Sequence, residues 1–286
     1  MPETSLNLLR WATERFKNQS VSEPRASAEL LLGHVLGLDR LSLYLNPERL
    51  VETSQLAAFM QCIERRLLGE PVQYITGTQD FWSLSLSVTP AVLIPRPESE
   101  LLVEAVLAIA RGAGAEKLRI ADLGTGSGAI AVALARELPE AVLVAGDLSP
   151  AALRVARGNA LRHQVAERIY LVTGDLFAPF RPAIFDIVVT NPPYVKSSDI
   201  PLLPREIRDY EPRAALDGGV DGLTSIRAIV RGAPDLLRPP GVLVLEMGAG
   251  QAEGVAALVS ETTRYRRHRI LKDYSGIDRV LIAEAR

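Results

Sequence analysis

From Leu118 onward the chain alternates short β-branched, apolar runs with longer amphipathic ones, and few folds accommodate that pattern. Strand-length runs fall at 118–123, 141–146, 168–173, 184–190, 241–246 and 279–284, with helical periodicity over 127–137, 149–162, 222–237 and 250–260. Strands that are apolar on both faces must be covered on both, and strands joined through helices run parallel. The expected architecture is α/β: a Rossmann-like, mostly parallel sheet between two layers of helices. The final run follows a polar hairpin, Lys272 to Asp278, so its strand is expected to be antiparallel.

The residues ahead of this region read differently. Leu9, Ala12 and Phe16 share one helical face, and Ser22 is placed to cap a second helix carrying Ala28, Leu31, Leu32 and Val35, with Gly37 as its stop. A third stripe, Leu56, Phe59, Met60, Ile63 and Leu67, ends at Gly69 before Pro71. The exposed charges here are scattered, so this is expected to be a small helical bundle, 1–72, that packs or recognises something. Phe81 to Val88 alternates with period two, and Pro90, Pro95 and Pro97 stiffen the approach to a helix over Glu98–Ala110. Residues 73–97 are therefore expected to form a β-hairpin linker, and residues 98–286 the catalytic domain. Tyr194–Asp221 is long and aperiodic, the property of functional or mobile loops.

Composition removes several classes of function. Of the 286 residues, 48% are hydrophobic and 23% charged, and the formal net charge is −2, which does not describe a protein that coats nucleic acid. Cys62 is the only cysteine, so no internal disulfide forms and a reducing compartment is expected. His34, His163 and His268 are far apart and lack neighbouring cysteines, so no metal site is expected. Met1 to Arg10 does not read as a signal peptide, and no apolar run reaches the ~20 residues that span a bilayer. A cytoplasmic protein without membrane partners is expected.

Chemistry concentrates at the strand ends. Ile120-Ala121-Asp122-Leu123 runs into Gly124-Thr125-Gly126-Ser127-Gly128 and then a helix, which is a strand, a turn where backbone can approach a ligand, and a set of helix N–H groups. Asp147, with Leu148 beside it, closes the next strand and can accept both hydroxyls of a ribose. Gly174-Asp175-Leu176-Phe177 ends the third, offering a polar group and an apolar wall for a flat base. Together they describe a site for a nucleoside-bearing cofactor. The glycine spacing also satisfies the dinucleotide signature, a weak match by itself. Asp122 stands where a carboxylate suits an ammonium group and gains nothing from a pyrophosphate. S-adenosylmethionine, with its adenosine, sulfonium and amino acid tail, fits better than NAD.

The strand Ile187 to Thr190 stops at Asn191-Pro192-Pro193-Tyr194, where two prolines end any ladder. The Asn191 amide, the Pro192 carbonyl and the Tyr194 ring can face one small pocket. Two acceptors and an aromatic wall suit a planar –NH2 group.

These motifs resemble those of class I S-adenosylmethionine methyltransferases acting on amino groups attached to planar carbon. Asn-Pro-Pro-Tyr is shared by N6-adenine DNA methyltransferases and release factor glutamine methyltransferases. The stretches 28–37, 69–77, 93–98 and 273–279 are similar to the second group, and the likeness runs from about residue 5 to 284. Ser99 stands where that family more often has Thr, and Leu176 where some members have Trp. The resemblance implies a class I methyltransferase fold and S-adenosylmethionine as methyl donor. It implies as substrate the glutamine of the Gly-Gly-Gln motif in class 1 release factors, held by Asn191, Pro192, Pro193 and Tyr194, with the helical bundle helping to dock that partner. An N6-adenine DNA methyltransferase is the alternative, an NAD(P) oxidoreductase a more distant one, and a catalytically dead scaffold a third. The only dense basic run, Arg264 to Arg269, reads as a solvated edge, so no nucleic-acid partner is expected.

Overall fold

The computed structural model describes residues 4–113, 117–180 and 182–286. They form two compact units, one of Met1–Thr78 with Pro204–Tyr210, the other of Gln79–Leu203 with Glu211–Arg286.

The first unit is helical: α1 (Ser5–Asn18), α2 (Pro24–Leu36), α3 (Arg40–Leu45), α4 (Thr53–Leu67) and α5 (Val72–Thr76). The stripes expected from periodicity face inward, with Phe16, Leu31, Leu32, Phe59 and Ile63 fully buried. Helices α3 and α5 were not expected, because five or six residues are too short to display a repeat. Ser22 does not cap α2. Glu23 holds the N-cap position in left-handed geometry ahead of Pro24, with no side-chain cap bond. The Ser22 hydroxyl instead donates to Glu206 at 3.0 Å and accepts from the buried Arg66 guanidinium at 2.9 Å.

The second unit opens with a two-stranded sheet, β1 (Thr78–Phe81) and β2 (Leu84–Ser87), followed by α6 (Glu100–Ala113). Then come β3 (Arg119–Leu123), α7 (Ala129–Glu137), β4 (Val142–Asp147), α8 (Pro150–Arg162), β5 (Ile169–Thr173) and β6 (Phe185–Thr190). The chain passes through a four-residue helix of the first unit, α9 (Arg205–Arg208), and returns as α10 (Thr224–Leu236), β7 (Leu237–Glu246), α11 (Ala252–Glu261), β8 (Tyr265–Lys272) and β9 (Asp278–Ala285). The large sheet has the order β5-β4-β3-β6-β7-β9-β8. The first five of these strands are mutually parallel, and β9 runs antiparallel to both β7 and β8.

Alternate side chains feed two cores. Ile120, Ile187 and Val189 join α6 and α7 on one face, whereas Ala121, Val188 and Leu243 join α10 and α11 on the other. The register levels the strand ends, pairing Leu123 with both Gly146 and Thr190, and Asp147 with Thr173. Gly124, Asp147, Gly174 and Asn191 are thereby brought to one edge of the sheet. The order reverses between β3 and β6, the switch point where open α/β sheets hold their ligands. β8 is a strand that periodicity did not reveal, since its arginines mask the alternation. Among the described residues no helix is long and apolar enough to cross a membrane.

Candidate active site

The loop after β3 is held by backbone geometry. Gly124, Gly126 and Gly128 have φ of +71°, +56° and +79°. A Cβ on Gly124 or Gly126 would meet nothing within 4 Å, so positive φ alone demands glycine there. At Gly128 it would also stand 3.0 Å from the Ala156 Cβ, so this glycine also sets how closely α7 meets α8. The Gly124 and Thr125 amides both donate to the Gly146 carbonyl at 2.9 Å. The Asp147 carboxylate accepts from the Gly126 amide and the Ser149 amide, each at 2.8 Å. It thus fixes the glycine turn while keeping further lone pairs for a ligand.

Asp122 stands behind this loop. It is fully buried, one oxygen accepts from the Thr125 hydroxyl at 2.7 Å, and the other, Oδ1, makes no hydrogen bond among the described residues. Burial, with the nearby Asp147 charge adding to it, pushes this carboxyl up to about 7.

A cavity of about 370 Å³ opens in front of the loop. Gly124, Thr125, Gly126 and Ser127 form one side, Asp147 and Leu148 the next, and Asp175 and Leu176 the third. Asn191 and Pro193 contribute from the end of β6. Four residues expected at the site are not on this wall: Asp122, Gly128, Pro192 and Tyr194. Pro192 is buried, and its carbonyl accepts no hydrogen bond among the described residues. The Tyr194 ring turns from the cavity toward Gly248, and its hydroxyl lies 3.4 Å from Glu246 Oε1. Burial, with the Glu246 carboxylate next, drives the Tyr194 phenol well above its usual range. Phe177 likewise leaves the base wall to Leu176 and packs where a Cβ on Gly232 would otherwise stand.

The β6 end is tied down on several sides. The Thr190 hydroxyl donates to the Leu123 carbonyl at 2.8 Å, and the Gln251 amide donates to the Tyr194 and Gly222 carbonyls at 3.0 and 3.2 Å. Asn191 Nδ2 donates to Ser99 Oγ at 2.9 Å, and Ser99 Oγ donates to Glu246 Oε2 at 2.6 Å. Asn191 Oδ1 has no partner among the described residues and is left to the cavity.

Sequence reasoning missed much of the opposite wall. Val92, Leu93, Pro95 and Arg96 of the connector line the cavity with Pro212 and Ala215 of the long loop. Glu211, with its side chain buried, joins the two segments by an ion pair to Arg96 and by accepting from the Ile94 amide at 3.2 Å. Glu98, two residues beyond Arg96, is exposed and off the wall. The signal for Glu211 was one acid beside a proline in an aperiodic loop. The Asp217 and Asp221 segments are turns: Asp217 accepts from the Gly219 amide and Asp221 from the Leu223 amide, each at 3.0 Å. Among the described residues no group of His, Cys, Asp and Glu could hold a metal ion.

Residues 7–77 match the family described as PrmC N-terminal domain, and residues 97–203 match the Methyltransferase small domain. The release factor glutamine methyltransferase of Moorella thermoacetica is 46% identical over 275 residues, covering 96% of this chain and 96% of that protein. Its counterpart in Geobacter sulfurreducens is 44% identical over 278 residues, covering 97% and 95%. Among solved structures, a methyltransferase from Pyrococcus furiosus superposes with a TM-score of 0.53 at 18% identity, covering 77% of this chain and 96% of its own. The hMettl16 catalytic domain, solved with a MAT2A 3′UTR hairpin, gives 0.56 at 14% identity, covering 82% and 84%. At such identities these structures establish the fold alone.

Proposed function

This chain belongs to the release factor glutamine methyltransferase family, and on that premise we propose that it transfers a methyl group from S-adenosylmethionine to the side-chain amide nitrogen, N5, of a glutamine. The glutamine is that of the Gly-Gly-Gln motif in class 1 peptide chain release factors. The observation that carries the proposal is the Asn191 amide: its nitrogen is engaged by Ser99 and its oxygen is left to the cavity that the glycine loop shares.

The site suits the methyl donor. Gly124 and Gly126 leave open space where a side chain would intrude, Asp147 keeps acceptor capacity for ribose hydroxyls, and Leu148 and Leu176 offer apolar surface for a base. Asp122, behind the loop with Oδ1 unpartnered, is the carboxyl assigned to the cofactor's ammonium group, whose charge would draw it to the ionised form. The cofactor contributes a methyl group made electrophilic by its sulfonium. The protein's task is then to improve a poor nucleophile, since an amide nitrogen has its lone pair delocalised into the carbonyl.

As the nitrogen attacks, it gains positive charge and its N–H groups become stronger donors. Asn191 Oδ1 is the acceptor assigned to one of those N–H groups, and the Pro192 carbonyl, off the cavity wall but with no hydrogen bond among the described residues, is assigned to the other; both bonds strengthen as charge develops. No strong base is required, because the proton leaves after transfer. Tyr194 is assigned a supporting place beside this pocket, its ring against Gly248 and its hydroxyl 3.4 Å from Glu246 Oε1. The helical unit is assigned to docking the release factor, and the cytoplasm, where translation ends, to its location.

Replacing Asn191 tests the assignment. Asn191→Ala should lower kcat by roughly 10²–10³, the loss expected for one preorganised polar partner, with a smaller effect on S-adenosylmethionine affinity. Near-normal turnover would remove Asn191 from the chemistry.

A further inference from the structure

We propose that Glu246 is a positioning residue that, through the Ser99 hydroxyl, sets which way round the Asn191 amide stands. The inference rests on the reading of Asn191 as the group that grips the acceptor amide.

The reasoning follows hydrogen-bond polarity. An ionised carboxylate only accepts, and a serine hydroxyl has one proton to give. At 2.6 Å from Glu246 Oε2, Ser99 Oγ spends that proton on the carboxylate. Toward Asn191 it can then only accept, so Nδ2 must face Ser99, as it does at 2.9 Å. Oδ1 is thereby turned to the cavity. With the opposite polarity Ser99 would donate to Oδ1, and Nδ2 would point at the substrate. A donor there would meet another donor, and the grip would be lost.

Packing alone does not account for a carboxylate in this position. Glu246 ends β7, is 1% exposed and makes no ion pair among the described residues. Burial pushes the Glu246 carboxyl up to about 7, against the Ser99 bond and the nearby Arg279 guanidinium, which is itself bound to Asp273 at 3.2 Å; the relay therefore operates above that pH, with the carboxylate ionised. Tyr194 offers only the 3.4 Å contact. An apolar side chain at the end of a buried strand would avoid the desolvation penalty altogether. The three residues are 92 and 147 positions apart in sequence, so no local turn requires them to meet.

The test uses the full-length enzyme with labelled S-adenosylmethionine and a release factor, with Glu246→Met, Ser99→Ala and Ser99→Thr each made in the wild-type and Asn191→Ala backgrounds. Melting temperature and cofactor affinity are read alongside kcat. Glu246→Met and Ser99→Ala should each lower kcat by about ten- to a hundredfold, through loss of the bonds that fix the amide, at unchanged cofactor affinity. Ser99→Thr, which keeps the hydroxyl, should restore turnover relative to Ser99→Ala. In the Asn191→Ala background neither loss should recur, because the group being oriented is gone. Equal losses in both backgrounds, with Asn191→Ala itself impaired, would make the role structural and overturn the relay alone. Near-normal turnover in Asn191→Ala would overturn the relay and the underlying reading together. Should Glu246→Met fail to fold, Ser99→Ala carries the same expectations.

Discussion

A carboxylate withdrawn from water must be compensated or neutralised, and Asp122, bonded through one oxygen only, is neutralised by keeping a proton up to about pH 7. Its folded value of about 7 lies above the ordinary 3.8, so between these limits the folded chain holds a proton that the unfolded chain has released. Stability contributed by this group is therefore present at low pH and is lost as pH rises through about 7. Asp122→Asn removes the titration. Chemical denaturation at about pH 4 and about pH 8 should show the variant gaining on wild type by on the order of 2–4 kcal/mol across that interval. A difference independent of pH would mean that Asp122 stays ionised. The ribose assignment has its own test: Asp147→Ala should weaken S-adenosylmethionine binding by about 1–3 kcal/mol in calorimetry through unpaired hydroxyls, and unchanged affinity would misplace the ribose. At this scale the glycines, Asp147, Leu176 and Asn191 were legible because each lies at or within a few residues of a strand's carboxyl end, and strand ends converge in this fold. Ser99 and Glu246 were not, because their meaning lies in contacts across the chain. Tyr194 was legible as a motif residue but not in its direction, which depends on the space beside Gly248.

Helices and strands of the sheet unit were legible from periodicity, since a buried strand and an amphipathic helix must carry different repeats. What escaped had physical reasons. Helices α3 and α5 are too short for a repeat, and the cap of α2 was decided by Pro24 and by the hydrogen bonds of Ser22 to Glu206 and Arg66. Strand β8 is an edge strand studded with arginines, a composition that blunts unwanted pairing and also hides the alternation. Strand β7 begins at Leu237, earlier than the apolar run, because the chain can extend through Pro239 and Pro240 but cannot continue α10 through them. An element-level test lies in α10. Alanine normally stabilises a helix over glycine by about 1 kcal/mol. At Gly232 the new Cβ would stand 2.4 Å from the Phe177 ring, so the ring must move. Gly232→Ala should therefore destabilise by about 1–2 kcal/mol net in denaturant unfolding, overpacking outweighing propensity. It should also disturb the cavity, since Phe177 follows Leu176 on the wall. A stabilised variant would show that the ring has room to yield.

Across the whole molecule the charges argue for a protein acceptor over a nucleic acid. The net charge is −2, and the basic edge is largely neutralised: Arg264 pairs with Asp235 at 2.5 Å, and Arg266 and Arg267 with Glu284 at 2.6 Å. Phosphate contacts dominate DNA affinity and weaken steeply with salt. Duplex DNA should therefore show no salt-sensitive retention on the protein at about 0.15 M salt, and a steep salt slope would revive a nucleic-acid substrate. The two-unit organisation follows from the change in pattern along the chain, but the return of Pro204–Tyr210 to the helical unit was invisible, because an aperiodic loop does not announce its neighbours. The most direct measurement is methyl transfer from labelled S-adenosylmethionine, offered a purified class 1 release factor beside the same factor with the Gly-Gly-Gln glutamine changed to alanine. Label on the unaltered factor alone is the result expected. Equal label on both would place the methyl group on another residue and contradict the account at its centre.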